Sequence, residues 1–214
     1  MNGPARLLEN CGAVIFIAYT VPAEAVARGY APWLVEVDNP FFNAIPGTLH
    51  YANWRVTRSA GFVTPVWDWF DFQGLSTRED LERVWFIPDL DRFRAEWLRL
   101  WGYGRGTAPE VLRHAYLLRP VGTPVAGRAS GRLQLAGGTG TPPEGMAADT
   151  LFEVDGVLSK HFSGGEGRAP GWLRPASDGN PLGLDWLAVT YGDSAAPPRA
   201  ELALEAELVA APDP

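Results

Sequence analysis

Residues 49–72, LHYANWRVTRSAGFVTPVWDWFDF, hold two aromatic and β-branched runs on either side of Ser59–Gly61, and their reading decides the fold. LHYANWRVT has the composition of a strand. FVTPVWDWFDF has that of a second, with Pro65 marking an edge or a bulge. The short turn between them makes the pair an antiparallel hairpin. Upstream, AVIFIAYTV (13–21) has no breaker and suits a strand buried on both faces. Pro22 opens a helical stretch that runs irregularly past Pro32 to WLVEV, and DNPFFNAIPG (38–47), dense in Pro, Asn and Gly, reads as a structured loop. Downstream, Ser76 and Thr77 precede Glu79 and Asp80 in a capping-box pattern. Leu81, Val84 and Trp85, then Leu90, Phe93, Trp97 and Trp101, follow at helical spacing, with a break at Pro88 and a stop at Gly102. VLRHAYLLR (111–119) is a fourth strand.

The order β-α-β-β-α-β over residues 13–120 predicts an α+β fold, a ferredoxin-like unit with both helical regions on one sheet face. Residues 1–12 read as a tail and 121–130, rich in Gly, Pro and Ala, as a linker. Residues 131–214 read as a degenerate second ferredoxin-like unit. TLFEVDGVLSKHFSGG (150–165) faintly echoes WLVEVDNPFFNAIPGTLHYANW, and LDWLAVTYGD echoes VWDWFDFQG, before a short closing helix expected in PPRAELALEAELVA.

Of 214 residues, 46% are hydrophobic and 20% charged, a globular balance. A net charge of −7 sets the summed field against phosphate backbones and anionic bilayers, so neither nucleic acid nor a membrane is an expected partner. Cys11 is the sole cysteine, which leaves no intrachain disulfide and makes the cytoplasm the default compartment. The N-terminal apolar run is too short to span a bilayer and lacks a cleavage site. The glycine-rich GGTGTPPEG and SGGEGR lack the strand-to-helix setting of a phosphate loop, and no serine sits in a nucleophile elbow. No cofactor and no metal site is expected.

The first half resembles the dimeric α/β-barrel superfamily, most of all its EthD-like members. The residues that carry the resemblance are IFIAYTV, Tyr30 and Trp33, Asn39-Pro40, and Ile45-Pro46-Gly47 before LHYANW. The resemblance implies two ferredoxin-like sheets facing each other, here from a tandem-fused chain or a homodimer. It also implies a pocket for small, often aromatic or lactone-like substrates. Where EthD-like sequences carry a histidine five residues after the helix tryptophan, this chain has Asp38.

Several residues could carry chemistry. His50 is either a hydrogen-bonded structural histidine or a general base. His114 shares a strand face with Tyr116 and lines either core or pocket, while His161, beside Lys160, reads as surface. Asp68 and Asp71 lie among Trp67, Trp69, Phe70 and Phe72, and their odd spacing sends one inward and one to solvent; Asp68 is taken as the candidate acid. Asp38 either replaces the missing histidine or caps a turn. Tyr19, Tyr51 and Tyr116 could donate hydrogen bonds to a substrate oxygen, and Trp33, Trp54, Trp67 and Trp85 could wall a ring. The resulting expectation is a cofactor-independent lyase, isomerase or cyclase acting by acid–base chemistry on a small aromatic or apolar substrate. The alternatives are a cofactor-free monooxygenase and a non-catalytic small-molecule-binding protein.

Overall fold

Every residue of the first strand, β1 (Ala13–Tyr19), is buried, and in the computed structural model its two faces serve two different cores. The structure describes residues 8, 10–61, 67–101, 113–122, 131–146, 148–158, 172–176, 182–192 and 200–212. After β1 come helices α1 (Ala23–Ala27) and α2 (Tyr30–Trp33), a π-helical turn (Leu34–Asp38) and α3 (Asn39–Asn43). The hairpin strands β2 (Thr48–Gly61) and β3 (Trp69–Leu75) follow, then α4 (Asp80–Trp85), α5 (Pro88–Leu100) and β4 (Arg113–Val121). The second half contributes β5 (Arg132–Gly138), β6 (Thr150–Leu158), β7 (Leu173–Pro175), β8 (Trp186–Tyr191) and β9 (Leu202–Ala210).

All pairings are antiparallel, in the order β4-β1-β3-β2-β9-β5-β8-β6, and β6 pairs back to β4. The eight strands therefore form a closed barrel, with the short β7 added to β6. Closure leaves no free edge in that ring, which removes the liability of unpaired strand N–H and C=O groups. Alternation sorts the side chains. Val14, Phe16 and Ala18 of β1 point into the barrel with Phe70, Phe72, Leu135, Phe152 and Leu204, while Ile15, Ile17 and Tyr19 point outward to a second core under the helices.

This architecture corrects the expected ferredoxin-like and dimeric α/β-barrel arrangement. The strands of the first half follow in the expected order, but β2 continues through Ser59–Gly61, the expected hairpin turn, where it pairs with β9; residues 62–66, including Pro65, lie outside the described residues, and the sheet is not a separate unit. Its two edge strands, β2 and β4, are both paired by second-half strands, so residues 13–121 and 131–210 share one barrel. The second half also lacks helices among the described residues, so it is not a second ferredoxin-like unit. The closing segment expected to be helical is β9. Its Ala, Leu and Glu favour a helix, yet Leu202, Leu204 and Ala206 alternate inward, and pairing with both β2 and β5 overrides that weak propensity.

Two further expectations change. Residues 39–43, expected as loop, are helical, because Pro40 stands in a first helical turn that needs no N–H from it. The described part of the tail is not free: Leu8 and Cys11 pack into the barrel core. Residues 123–130 of the expected linker, and the segment holding Lys160 and His161, lie outside the described residues. The capping box is present, with Thr77 and Asp80 exchanging backbone and side-chain hydrogen bonds of 3.0–3.3 Å. No helix among the described residues is long and apolar enough to cross a membrane.

Candidate active site

Tyr51, Asn53 and Arg55 of β2 stand opposite Gln73, Asp71 and Trp69 of β3, so Tyr51, Asn53 and Asp71 share the outer face of the barrel wall. The helical run from Tyr30 to Asn43 covers this face. Its π turn brings two successive residues, Asp38 and Asn39, down onto the sheet at 3% and 4% exposure, whereas Val35 and Val37 remain exposed. Such a wide turn shifts the helical register by one residue.

The polar groups on this face are ordered by a relay of amides that begins at a backbone N–H. Tyr51 N–H can only donate, and it donates to Asn43 Oδ1 at 2.7 Å, which turns the Asn43 amide nitrogen toward Asn39 Oδ1 (2.9 Å). Asn39 Nδ2 then donates to Asn53 Oδ1 at 3.1 Å and to the Tyr51 carbonyl at 2.9 Å. The Asn53 amide nitrogen is thereby aimed at both carboxyl groups, reaching Asp38 Oδ2 at 2.8 Å and Asp71 Oδ1 at 2.9 Å. The Tyr19 hydroxyl donates to Asp71 Oδ1 at 3.2 Å, and Tyr51 also hydrogen-bonds that carboxyl. Behind Tyr19, Tyr30 donates to its oxygen at 3.1 Å, and Trp97 Nε1 donates to Tyr30 at 3.1 Å.

Burial is the largest influence on Asp71 and the negative charge of Asp38 the second; together they push its pKa from 3.8 up to about 8 against the hydrogen bonds that favour ionisation. Asp71 is therefore a protonated acid at neutral pH. Burial first, then the charges of the two aspartates, also push the hydroxyls of Tyr30 and Tyr51 well above 10; for Tyr19 the order is burial, then Asp71. All three stay protonated and available to donate.

Asp38, Asp71, Tyr19 and Tyr51 line one pocket with Ile17, Phe42 and, from α5, Phe93, Arg94 and Trp97. The free volume within it is about 30 Å³, room for one or two waters or a very small molecule with α5 in place. Arg94 is only 9% exposed; its guanidinium lies 4.3 Å over the Trp85 ring and 3.7 Å from the Asp91 carboxylate.

The candidates from the sequence fall on two sides of the barrel wall. Asp38, Tyr51 and Tyr19 meet here. Trp33 and Trp85 lie farther out in the same helix-covered core, Trp33 against Tyr30, Phe93 and Trp101. His50, Trp54, Trp67, His114 and Tyr116 belong to the inner face. His50 is buried at one end of the barrel, where its Nε2 accepts the Leu8 N–H at 2.7 Å and lies 3.8 Å from Cys11 Sγ. Burial lowers its pKa from 6.5 to about 4, so it is neutral and already engaged. Asp68 is exposed, and the buried member of the Asp68/Asp71 pair is Asp71.

Sequence reasoning missed Asn53, Asn43 and Arg94. The signal for the first was hidden by the turn: a turn at Ser59–Gly61 sets residue 53 against Trp67, whereas the observed register sets Asn53 against Asp71. Among the described residues, no three His, Cys, Asp or Glu side chains gather as a metal cluster. Compared with known proteins, the chain matches no family model, no curated protein and no solved structure.

Proposed function

We propose that the pocket between α5 and the outer barrel wall is an active site for acid–base chemistry on a small carbonyl compound, a proton transfer of the isomerase or lyase type. The observation that carries this reading is the pairing of Asp71, whose pKa burial and Asp38 push up to about 8, with Asp38 across one amide, both facing the pocket. Two carboxyls held in different protonation states supply an acid and a base at the same pH. Asp38 takes a proton from the carbon beside the substrate carbonyl. Asp71, held by the Tyr19 hydroxyl, donates a hydrogen bond to the carbonyl oxygen as negative charge develops there; the proton then returns to the substrate at a second carbon, or goes to a leaving group that departs from the β carbon as the carbon–carbon double bond forms. Ile17, Phe42 and Phe93 exclude water from the pocket. Asn53 is a positioning residue, since it touches both carboxyls and does not line the pocket.

The experiment is deuterium exchange into small ketones and keto acids in D2O, followed by proton NMR. Enzyme-dependent exchange at the carbon beside the carbonyl, reduced by about a hundredfold or more in Asp71→Asn and in Asp38→Asn, is the expected result. Exchange that is unchanged in both variants removes the two acids from the chemistry. Ligand-induced thermal stabilisation with no exchange in any substrate would instead select a non-catalytic binding role.

A further inference from the structure

On the opposite side of the same sheet, the barrel interior carries hydrogen-bond donors that the protein leaves unanswered. The inner residues lie in layers set by the strand register. Val14, Leu118, Gly74 and His50 form the layer next to Leu8 and Cys11; Phe16, Tyr116, Phe72 and Ala52 form the next; Ala18, His114, Phe70 and Trp54 form the third. Trp67 joins that far end, its ring 5.8 Å from both Phe16 and His114. Ala18, between His114 and Phe70 on its neighbouring strands, gives this layer only a methyl group.

Trp54, Trp67 and Tyr116 are 1%, 1% and 0% exposed, yet Trp54 Nε1, Trp67 Nε1 and the Tyr116 hydroxyl have no hydrogen-bond partner. Trp101 and Trp186 also carry unpartnered indole nitrogens, but in other cores; these three belong to the one inner core, where Phe16 contacts Trp67 and Tyr116 and Phe70 contacts Trp54. A buried donor left unsatisfied costs about 1–3 kcal/mol, and three in one place are a feature that something must answer. Indole N–H groups only donate, so the missing partner is an acceptor. Among the described residues of this inner core there is no buried Lys, Arg, Asp or Glu, so an ionised guest would meet no counter-charge.

We propose that the barrel interior, at the Trp54–Trp67–Tyr116 end, is a second binding site, for a small neutral aromatic or apolar molecule bearing a carbonyl or ether oxygen. The rings of Phe16, Phe70 and His114 stack on its apolar part, and the two indoles and the phenol donate to its oxygen. The site is separate from the acid pair, because the barrel wall lies between them.

The test uses acetophenone as the neutral acceptor probe, toluene as the same ring without an acceptor, and benzoate as a charged counterpart. Each is titrated into the full-length protein while the indole N–H resonances are followed by ¹⁵N NMR; Trp54→Phe and Trp67→Phe assign those two signals. Acetophenone is expected to shift both signals saturably. Toluene and benzoate should bind about tenfold or more weakly, Tyr116→Phe should weaken acetophenone by up to about tenfold, and Asp71→Asn should leave it unchanged. Tyr116→Phe removes an unpartnered hydroxyl, so its free form should be at least as heat-stable as the parent, which separates lost binding from lost folding. Absence of a saturable shift, equal binding of toluene, or binding abolished by Asp71→Asn and indifferent to Tyr116→Phe would each overturn the proposal.

Discussion

Asp71 is held in the native state with its proton on, and this makes a stability prediction with a definite sign. Its folded pKa of about 8 lies above the ordinary 3.8, so between those values the unfolded chain loses the proton while the native state keeps it. The stabilising contribution of this group is present in acid and is lost as pH rises from about 4 to about 8. Asp71→Asn keeps an oxygen acceptor for Tyr19 and Asn53 and cannot ionise. It is expected to be more stable than the parent above pH 8, by at least about 1 kcal/mol, with the difference shrinking toward pH 4. Urea midpoints at pH 5 and pH 9 measure this; a difference that does not grow with pH contradicts it. His50 has the opposite sign. Its folded pKa of about 4 lies below 6.5, so its contribution is complete above pH 6.5 and is lost as pH falls to 4, by up to about 3 kcal/mol. His50→Gln, whose amide oxygen can accept the Leu8 N–H, should flatten that fall in the same titration and leave any deuterium exchange at the acid pair unchanged.

At the scale of the element, each departure from sequence reading traces to a contact that the sequence does not print. Strands β1, β3 and β4, the first part of β2, and helices α4 and α5 were legible because hydrophobic period, capping residues and Pro88 all agreed; the end of β2 at Ser59–Gly61 reads as a turn and is made strand by its pairing with β9. The segment 202–210 was not, because its Ala, Leu and Glu favour a helix and only its two neighbouring strands make it a strand. The helix through 39–43 was hidden by Pro40 and its two asparagines, whose turn propensity is overridden where a π turn seats Asp38 and Asn39 on the sheet. Of the site, Asp38, Tyr19 and Tyr51 were visible as polar residues next to apolar runs. Asn53 and the preference for Asp71 over Asp68 required the hairpin register. Gly74 is a further element-scale constraint. A Cβ at this position would collide with Cys11 Sγ and approach the His50 ring to 2.7 Å, so the glycine is what lets the N-terminal segment and His50 fill the end of the barrel. Gly74→Ala should cost about 1–3 kcal/mol, read from chemical denaturation. Stability within experimental error of the parent would show that the Leu8–Cys11 segment is not held there.

At the scale of the whole molecule, the barrel is closed by two seams between the halves, β2 with β9 and β4 with β6. Both seams carry arginine from the first half against glutamate from the second: Arg55 with Glu207, Arg58 with Glu205 at 3.3 Å, and Arg119 with Glu153. These exposed pairs add little stability each, but a slipped register would misalign them. The inner core is built from both halves, so neither half encloses its own apolar face. Residues 1–121 expressed alone should remain unfolded or aggregate, whereas the full chain should unfold in a single transition seen alike by tryptophan fluorescence and far-ultraviolet circular dichroism. Two separate transitions would mean that the halves fold independently and the barrel is not one cooperative unit.

The central claim is that one wall of this barrel holds an acid and a base side by side at neutral pH, and the protonation state of Asp71 tests it most directly. The side-chain carboxyl carbon of Asp71, assigned by the signal lost in Asp71→Asn, can be followed by ¹³C NMR from pH 3 to pH 10. A midpoint near 8, moved downward in Asp38→Asn, is the predicted result. A midpoint near 4 would contradict the account, since both aspartates would then be charged at neutral pH and no acid would remain in the pocket.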